Sequence, residues 1–197
     1  MPDLYLYLLL KLNYMNAFRL IQSDYTKYKK YGGSFITIVF FTQGFWASFQ
    51  YRWAHAVYRL KIPVLKQLLQ IICMIWQKLI EITTGISIPA SAKIGSSLYI
   101  GHFGGIIINS NTVMGSNCNI SQGVTIGVSG TDARRGVPVI GNNVYIGANT
   151  IVAGKIIIGN NVLIGAASLM AKDAMDESVW LGVPAVKISD YGSNGYI

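Results

Sequence analysis

The chain has 197 residues, 52% of them hydrophobic and only 12% charged, with a formal net charge of +8. That length suits one domain, or one domain with an appendage, and so apolar a composition excludes intrinsic disorder. The charge is uneven: up to Gly85 ten basic residues face three acidic ones, a balance of +7, while the remainder carries +1.

The first 85 residues read as helical. A helix is expected before Tyr31, separated from the residues after it by Gly32 and Gly33. Phe45, Trp46, Phe49, Trp53, Val57 and Leu60 recur on one side of a second helix, with Arg52, His55 and Arg59 together on another. His55 fits a packing or interface role rather than catalysis. Pro63 opens a third helix with Leu65, Leu68, Leu69, Ile72, Trp76 and Ile80 as its apolar stripe, and Gly85 and Pro89 end it.

Greasy and basic together raise the question of a membrane. The longest uncharged stretch, 32–51, contains Gln43, Gly44 and Gln50, whereas a spanning helix needs about 20 predominantly apolar residues. The apolar run at 4–10 is too short to span, and no signal peptide is expected. Cys73 and Cys118 match no metal or disulfide spacing, which fits reduced thiols in the cytoplasm.

From Ile86 the sequence repeats itself. Ile88, Ile94, Ile100 and Ile106 stand six residues apart, then Met114, Ile120 and Ile126, then Ile140, Ile146, Val152, Ile158, Ile164 and Met170. A helix would repeat at 3.6 and a strand at 2. A period of six is one side of a triangular parallel β-coil, its aliphatic residue pointing inward and Gly or Asn at the corners. The phase breaks twice. Eight residues separate Ile106 from Met114, which puts two extra residues there. Fourteen separate Ile126 from Ile140, which ejects a loop at 129–138 reading SGTDARRGVP. The expected fold is therefore mainly β: a parallel β-helix over 86–188, a helical segment over 1–85 and a tail over 189–197.

Several motifs then carry a resemblance. FQYRWAHAVYRL, IPASAKIGSSLYIGHFGGIII, QGVTIGVSG and LGVPAVKI together resemble the hexapeptide-repeat, left-handed β-helix acyltransferases, in their serine acetyltransferase branch. The resemblance implies a homotrimer, with acetyl-CoA as co-substrate in the groove between adjacent coils, and no metal. It makes His102 the general base, a role that an imidazole titrating near neutrality suits, and puts oxyanion donors at the amides of Gly127 and Val128. For the co-substrate it marks Ala148 and Ala166 as small residues past which pantetheine threads. It sets Lys172 and Lys187 near the nucleotide phosphates, and Gly182 and Pro184 at the terminal turn near adenine.

Three positions depart from that branch: Gly101 stands where Asp usually precedes the histidine, Gly136-Val137 where Arg-His precedes proline, and Ser87 at an upstream acidic position. With those charges absent, the expected acceptor is a sugar hydroxyl of a bacterial surface polysaccharide or its precursor, contacted by Arg134 and Arg135. Capsule and exopolysaccharide O-acetyltransferases are similar in architecture. The alternatives are serine O-acetylation for cysteine synthesis, and a non-catalytic trimeric scaffold. A metal hydratase on the same coil is set aside, since His55 and His102 are the chain's two histidines. No nucleic-acid contact is expected. The protein is expected in the cytoplasm, its basic end resting peripherally on an anionic inner leaflet or packing trimers together.

Overall fold

The computed structural model describes residues 17–197, so the apolar run at 4–10 lies outside the described residues. Four helices come first: α1 (Ala17–Lys30), α2 (Phe35–Phe41), α3 (Gln43–Tyr58) and α4 (Pro63–Thr84). Ser34 caps α2, its Oγ accepting from the Thr37 amide at 3.2 Å. Pro63 begins α4, where its missing N–H costs nothing, and Gly85 ends it at φ +66 with its amide on the Glu81 carbonyl. No helix among the described residues is long and apolar enough to cross a membrane.

Beyond Gly85 the chain winds into three sheets of very short strands. The first holds β1 (Ile86–Ser87), β4 (Ile106–Ile108), β7 (Thr125–Gly127), β10 (Ile151–Ala153) and β13 (Leu169–Met170). The second holds β2 (Lys93–Ile94), β5 (Val113–Met114), β8 (Val139–Ile140) and β11 (Ile157–Ile158). The third holds β3 (Tyr99–Ile100), β6 (Asn119–Ile120), β9 (Tyr145–Ile146), β12 (Leu163–Ile164), β14 (Val179–Gly182) and β15 (Ala185–Ser189). Pairing is parallel between successive turns, and β15 folds back antiparallel on β14. This is the three-sided β-helix that the six-residue period predicts. Its interior is a stack of buried aliphatics, among them Ile94, Met114, Ile120, Ile140, Ile146 and Ile164. Each contributes about 1.5–3 kcal/mol by leaving water.

The first phase break lies elsewhere than the spacing indicates. Ile108 pairs with Ile126, and Ile107 with Thr125, so Ile108 rather than Ile106 occupies the inward column that continues to Met114. The two extra residues therefore fall between Ile100 and Ile108, in the turn that carries His102. Three consecutive isoleucines hide this in the sequence, because Ile106 and Ile108 are both buried and either satisfies the period.

The corners explain the asparagines. Asn117, Asn143 and Asn161 stand in successive turns at φ near +60, a conformation that Asn tolerates. Their side chains form a ladder, Asn117 Nδ2 donating to Asn143 Oδ1 at 2.8 Å and Asn143 Nδ2 to Asn161 Oδ1 at 2.7 Å.

The helices are fastened to the first coils by polar groups. Arg52 is fully buried. Its guanidinium donates to both Asp24 oxygens, at 2.8 and 3.0 Å, and to the carbonyls of Ile94 and Gly95, at 2.7 and 2.6 Å. Tyr51 donates to the Ala92 carbonyl, Tyr28 to that of Ile100, and His55 Nδ1 lies 2.8 Å from that of Ala90. The face of α3 that bears Arg52 and His55 is thus the one laid against the coil, while Trp53 of the apolar stripe is 45% exposed. The stripe of α4 is likewise covered only towards its end. Leu65, Leu68 and Ile72 are exposed, and Trp76 and Ile80 pack on the core, because only the last turns of the helix reach the coil.

Candidate active site

His102 lies on the turn between β3 and β4 and is exposed. Two backbone bonds hold that turn. The Gly104 amide donates to the Thr84 carbonyl at the end of α4, and the Gly104 carbonyl accepts from the Gly123 amide one coil below, each at 2.9 Å. Gly85 and Gly104 are in near contact: a Cβ on Gly85 would sit 3.1 Å from the Gly104 Cα. The end of α4 therefore sets where the histidine stands.

The space beside the histidine is filled by an aromatic pair. A Cβ on Gly101 would meet the Tyr99 ring at 3.2 Å, and Tyr99 stacks on Tyr31 with centroids 4.3 Å apart. A carboxylate at position 101 would have to displace that ring, a physical reason for glycine where the resembling branch has Asp.

Below His102 the same edge of the prism is lined by small residues. The Asn149 amide donates to the Gln122 carbonyl at 2.8 Å and that of Ala167 to the Ala148 carbonyl at 2.7 Å, so these corners stack turn on turn. Ala148 is half-buried and Ala166 exposed. At the end of the column the Gly182 amide donates to Ser168 Oγ at 3.1 Å, and Pro184 comes next in the turn between β14 and β15. His102, Ala148, Ala166, Gly182 and Pro184 thus share one edge. The closeness is real: a Cβ on Gly123 would lie 2.0 Å from Asn149 Oδ1, and Gly123 itself is at φ +71.

Gly127 and Val128 lie on the next edge. Gly123 lies two residues before β7 and Gly127 ends it, so the two are separated by at most about 13 Å at roughly 3.3 Å per residue. The loop at 129–138 leaves from that second edge, closed at its base by paired bonds between Ser129 and Gly136, each 3.1 Å. Arg134, in a single 3₁₀ turn over Asp132–Arg134, and Arg135 are both exposed. Under the loop is a cavity of about 430 Å³ lined by Thr131, Arg134, Gly154, Lys155 and Ala171 among others. Lys155 donates from Nζ to the Ala133 carbonyl at 3.3 Å and props the loop. Sequence reasoning passed it over, although it stands at the corner one turn beyond the loop.

Lys172 and Lys187 come together at the end of the coil, on either side of Trp180. Lys172 Nζ lies 5.6 Å from the Trp180 ring centre, and Lys187 pairs with Trp180 across β14 and β15. Lys187 also forms an ion pair with Asp190. Within one chain Lys172 turns the same corner as Gly127 and Val128, one edge away from the corner that carries His102. Among the described residues no cluster of His, Cys, Asp or Glu is arranged to hold a metal.

Residues 138–172 match the family described as bacterial transferase hexapeptide (six repeats). The serine acetyltransferase of Synechococcus elongatus is 36% identical over 141 residues, covering 72% of this chain and 55% of that protein. The crystal structure of serine acetyltransferase from Brucella abortus superposes with a TM-score of 0.77 at 27% identity, over 89% of this chain and 70% of that one. A serine acetyltransferase solved in complex with CoA gives 0.73 at 26%, over 87% and 69%. The coil is thus the left-handed β-helix of these neighbours. The chain spans about half to two thirds of the length of the curated relatives it matches.

These relatives overturn the expected glycan or sugar acceptor, and the likeness to capsule enzymes finds no support in them: the relatives named above are serine acetyltransferases. The inference from missing charges was at fault. Gly101, Ser87 and Gly136-Val137 lack the usual groups, yet the loop still presents two exposed guanidiniums.

Proposed function

The chain belongs to the hexapeptide-repeat transferases, and from that premise we propose that it carries the acetyl group of acetyl-CoA to the hydroxyl of serine. The observation that carries this reading is the continuous edge running from His102 past Gly123, Ala148 and Ala166 to Gly182. Its small side chains leave room for a narrow pantetheine arm, with a base at one end and two lysines for phosphates at the other. Acetyl-CoA then lies along the edge with its thioester next to the imidazole.

The chemistry asks little more of the chain. The His102 imidazole takes the proton of the serine hydroxyl as that oxygen attacks the thioester carbonyl. The carbonyl oxygen becomes an oxyanion, for which preorganised amides are the largest source of stabilisation. The amides of Gly127 and Val128 are assigned this role. Because they stand at the far end of β7 from the histidine edge of their own chain, they act across an interface between adjacent coils. A homotrimer supplies that interface. Collapse breaks the C–S bond, and the CoA thiolate recovers the proton from the imidazolium. Arg134 and Arg135 hold the serine carboxylate from the loop. A cytoplasmic site of action accords with acetyl-CoA as the donor.

The test is thiol release from acetyl-CoA with L-serine as sole acceptor, with the product identified by mass. Serine-dependent release with O-acetylserine formed is the expected result. Release independent of serine, or none in protein that binds acetyl-CoA, overturns the reading.

A further inference from the structure

On a different corner of the coil from His102, α1 meets the first two turns around a polar hollow. It has a volume of about 400 Å³ and is lined by Arg19, Ser23, Thr26, Lys27 and Lys30 of the helix, with Ser97 and Asn117 from the corners. Lys27 decides its character. The residue is 5% exposed, and its Nζ is buried without a hydrogen-bond partner among the described residues. A buried ammonium without a partner is costly, and an anion seated against it offsets that cost.

The neighbouring acid does not answer for it. Asp24 is already committed to Arg52 through two bonds and to the Leu98 amide through a third, at 2.8 Å. Lys30, at the same wall, adds a second positive charge and is exposed. Ser23 has its hydroxyl engaged with the Leu20 carbonyl and the Ser97 amide, and Thr26 with the Gln22 carbonyl. The hollow therefore offers cationic donors and lacks an anion.

We propose that this hollow between α1 and the Ser97 and Asn117 corners is a seat for a phosphate-class oxyanion, held by Lys27 at its base and Lys30 at its mouth. Lysine suits the task as a point charge with three donors, and charge-assisted bonds to phosphate are roughly twice as strong as neutral ones. Burial lowers the pKa of Lys27 to about 8, so the amine is still charged near neutrality and gains most from an anion beside it. The same chemistry fits a free oxyanion and the phosphate of a larger ester, including a lipid headgroup. The hollow is separate from Lys172 and Lys187, which lie beside Trp180 at the far end of the coil.

The experiment uses the full chain without acetyl-CoA. Thermal unfolding is followed against inorganic phosphate, with sodium chloride at matched ionic strength as control, in wild type, Lys27→Met, Lys30→Gln and Lys187→Gln. The expected result is saturable stabilisation by phosphate beyond that by chloride. It is retained in Lys187→Gln, reduced at least threefold in apparent affinity in Lys30→Gln, and lost in Lys27→Met. Equal effects of phosphate and chloride overturn the proposal, as does an unchanged response in Lys30→Gln or a response abolished by Lys187→Gln alone. Lys30 is exposed, so its variant keeps the test open should Lys27→Met fail to fold. A second arm titrates glycerol phosphate and vesicles of phosphatidic acid in phosphatidylcholine. Binding of the soluble ester identifies a small-molecule seat, and vesicle binding lost in Lys27→Met identifies a headgroup seat. Neither activity nor serine enters the readout, so its failure is independent of the acetyl-transfer reading.

Discussion

Replacing Arg52 by Met probes the joint between the helices and the coil. The methionine keeps much of the side-chain volume and removes four donated bonds: two to Asp24, one to Ile94 and one to Gly95. Asp24 is 1% exposed and, among the described residues, keeps the Leu98 amide alone, so its charge is stranded. Breaking one half of a buried pair costs about 3–5 kcal/mol. With a urea dependence of about 2 kcal/mol/M, the unfolding midpoint should fall by about 1.5–2.5 M. Replacing Asp24 by Leu in the same chain removes the stranded charge, and the double variant should recover at least about 2 kcal/mol of the sum of the single losses. The assay is urea unfolding at fixed protein concentration, followed by tryptophan fluorescence, since mass action otherwise shifts the midpoint of an oligomer. Additive losses in the cycle, or an Arg52→Met loss below about 1 kcal/mol, would refute the reading of this pair as a coupled buried lock.

Three further outcomes rest on particular contacts. Gly44→Ala places a Cβ 2.2 Å from the Ile100 carbonyl oxygen, so it should destabilise by about 1–3 kcal/mol even though alanine favours helix; a neutral or stabilising effect in the same urea assay contradicts that approach. His55 has its pKa held below the ordinary 6.5 chiefly by burial, which outweighs its bond to the Ala90 carbonyl. The unfolded chain therefore takes up the proton first; the stability is full above about pH 6.5 and is lost as pH falls towards the lower folded value. His55→Gln should flatten that slope in melting temperatures measured from pH 8 to 5, and identical slopes would count against it. Ala166→Leu, on an exposed corner, should leave stability within about 0.5 kcal/mol and raise the KM for acetyl-CoA about tenfold or more; an unchanged KM removes acetyl-CoA from that edge.

The coil was legible because one physical demand repeats every six residues: the interior column admits only aliphatic side chains, and Ile94, Met114 and Ile140 meet it turn after turn. The position of the first break was not, since Ile106, Ile107 and Ile108 satisfy the pattern in either phase and only pairing with Thr125 and Ile126 decides between them. The burial of Arg52 is not legible for a related reason. A helical projection sends a charge away from the apolar stripe, and nothing local shows that Asp24 and two coil carbonyls wait on that side. The histidine turn was visible as a short motif. What a sequence does not display is that Gly127 and Val128 emerge on a different edge from His102, because that depends on which corner of the prism each residue turns. Absent charges at Gly101 and Ser87 are weak evidence about the acceptor, and the serine acetyltransferase relatives overturn the sugar expected from them.

The proposed role of His102 as the base in acetyl transfer to serine is tested by removing its imidazole. Serine-dependent thiol release is measured for wild type and His102→Ala, with acetyl-CoA binding followed in both. Loss of a general base costs about 10²–10⁴-fold in rate. The account predicts that fall in kcat with acetyl-CoA affinity within about threefold of wild type, as an exposed turn residue that holds no part of the co-substrate should allow. A variant that still acetylates serine at the wild-type rate would contradict it.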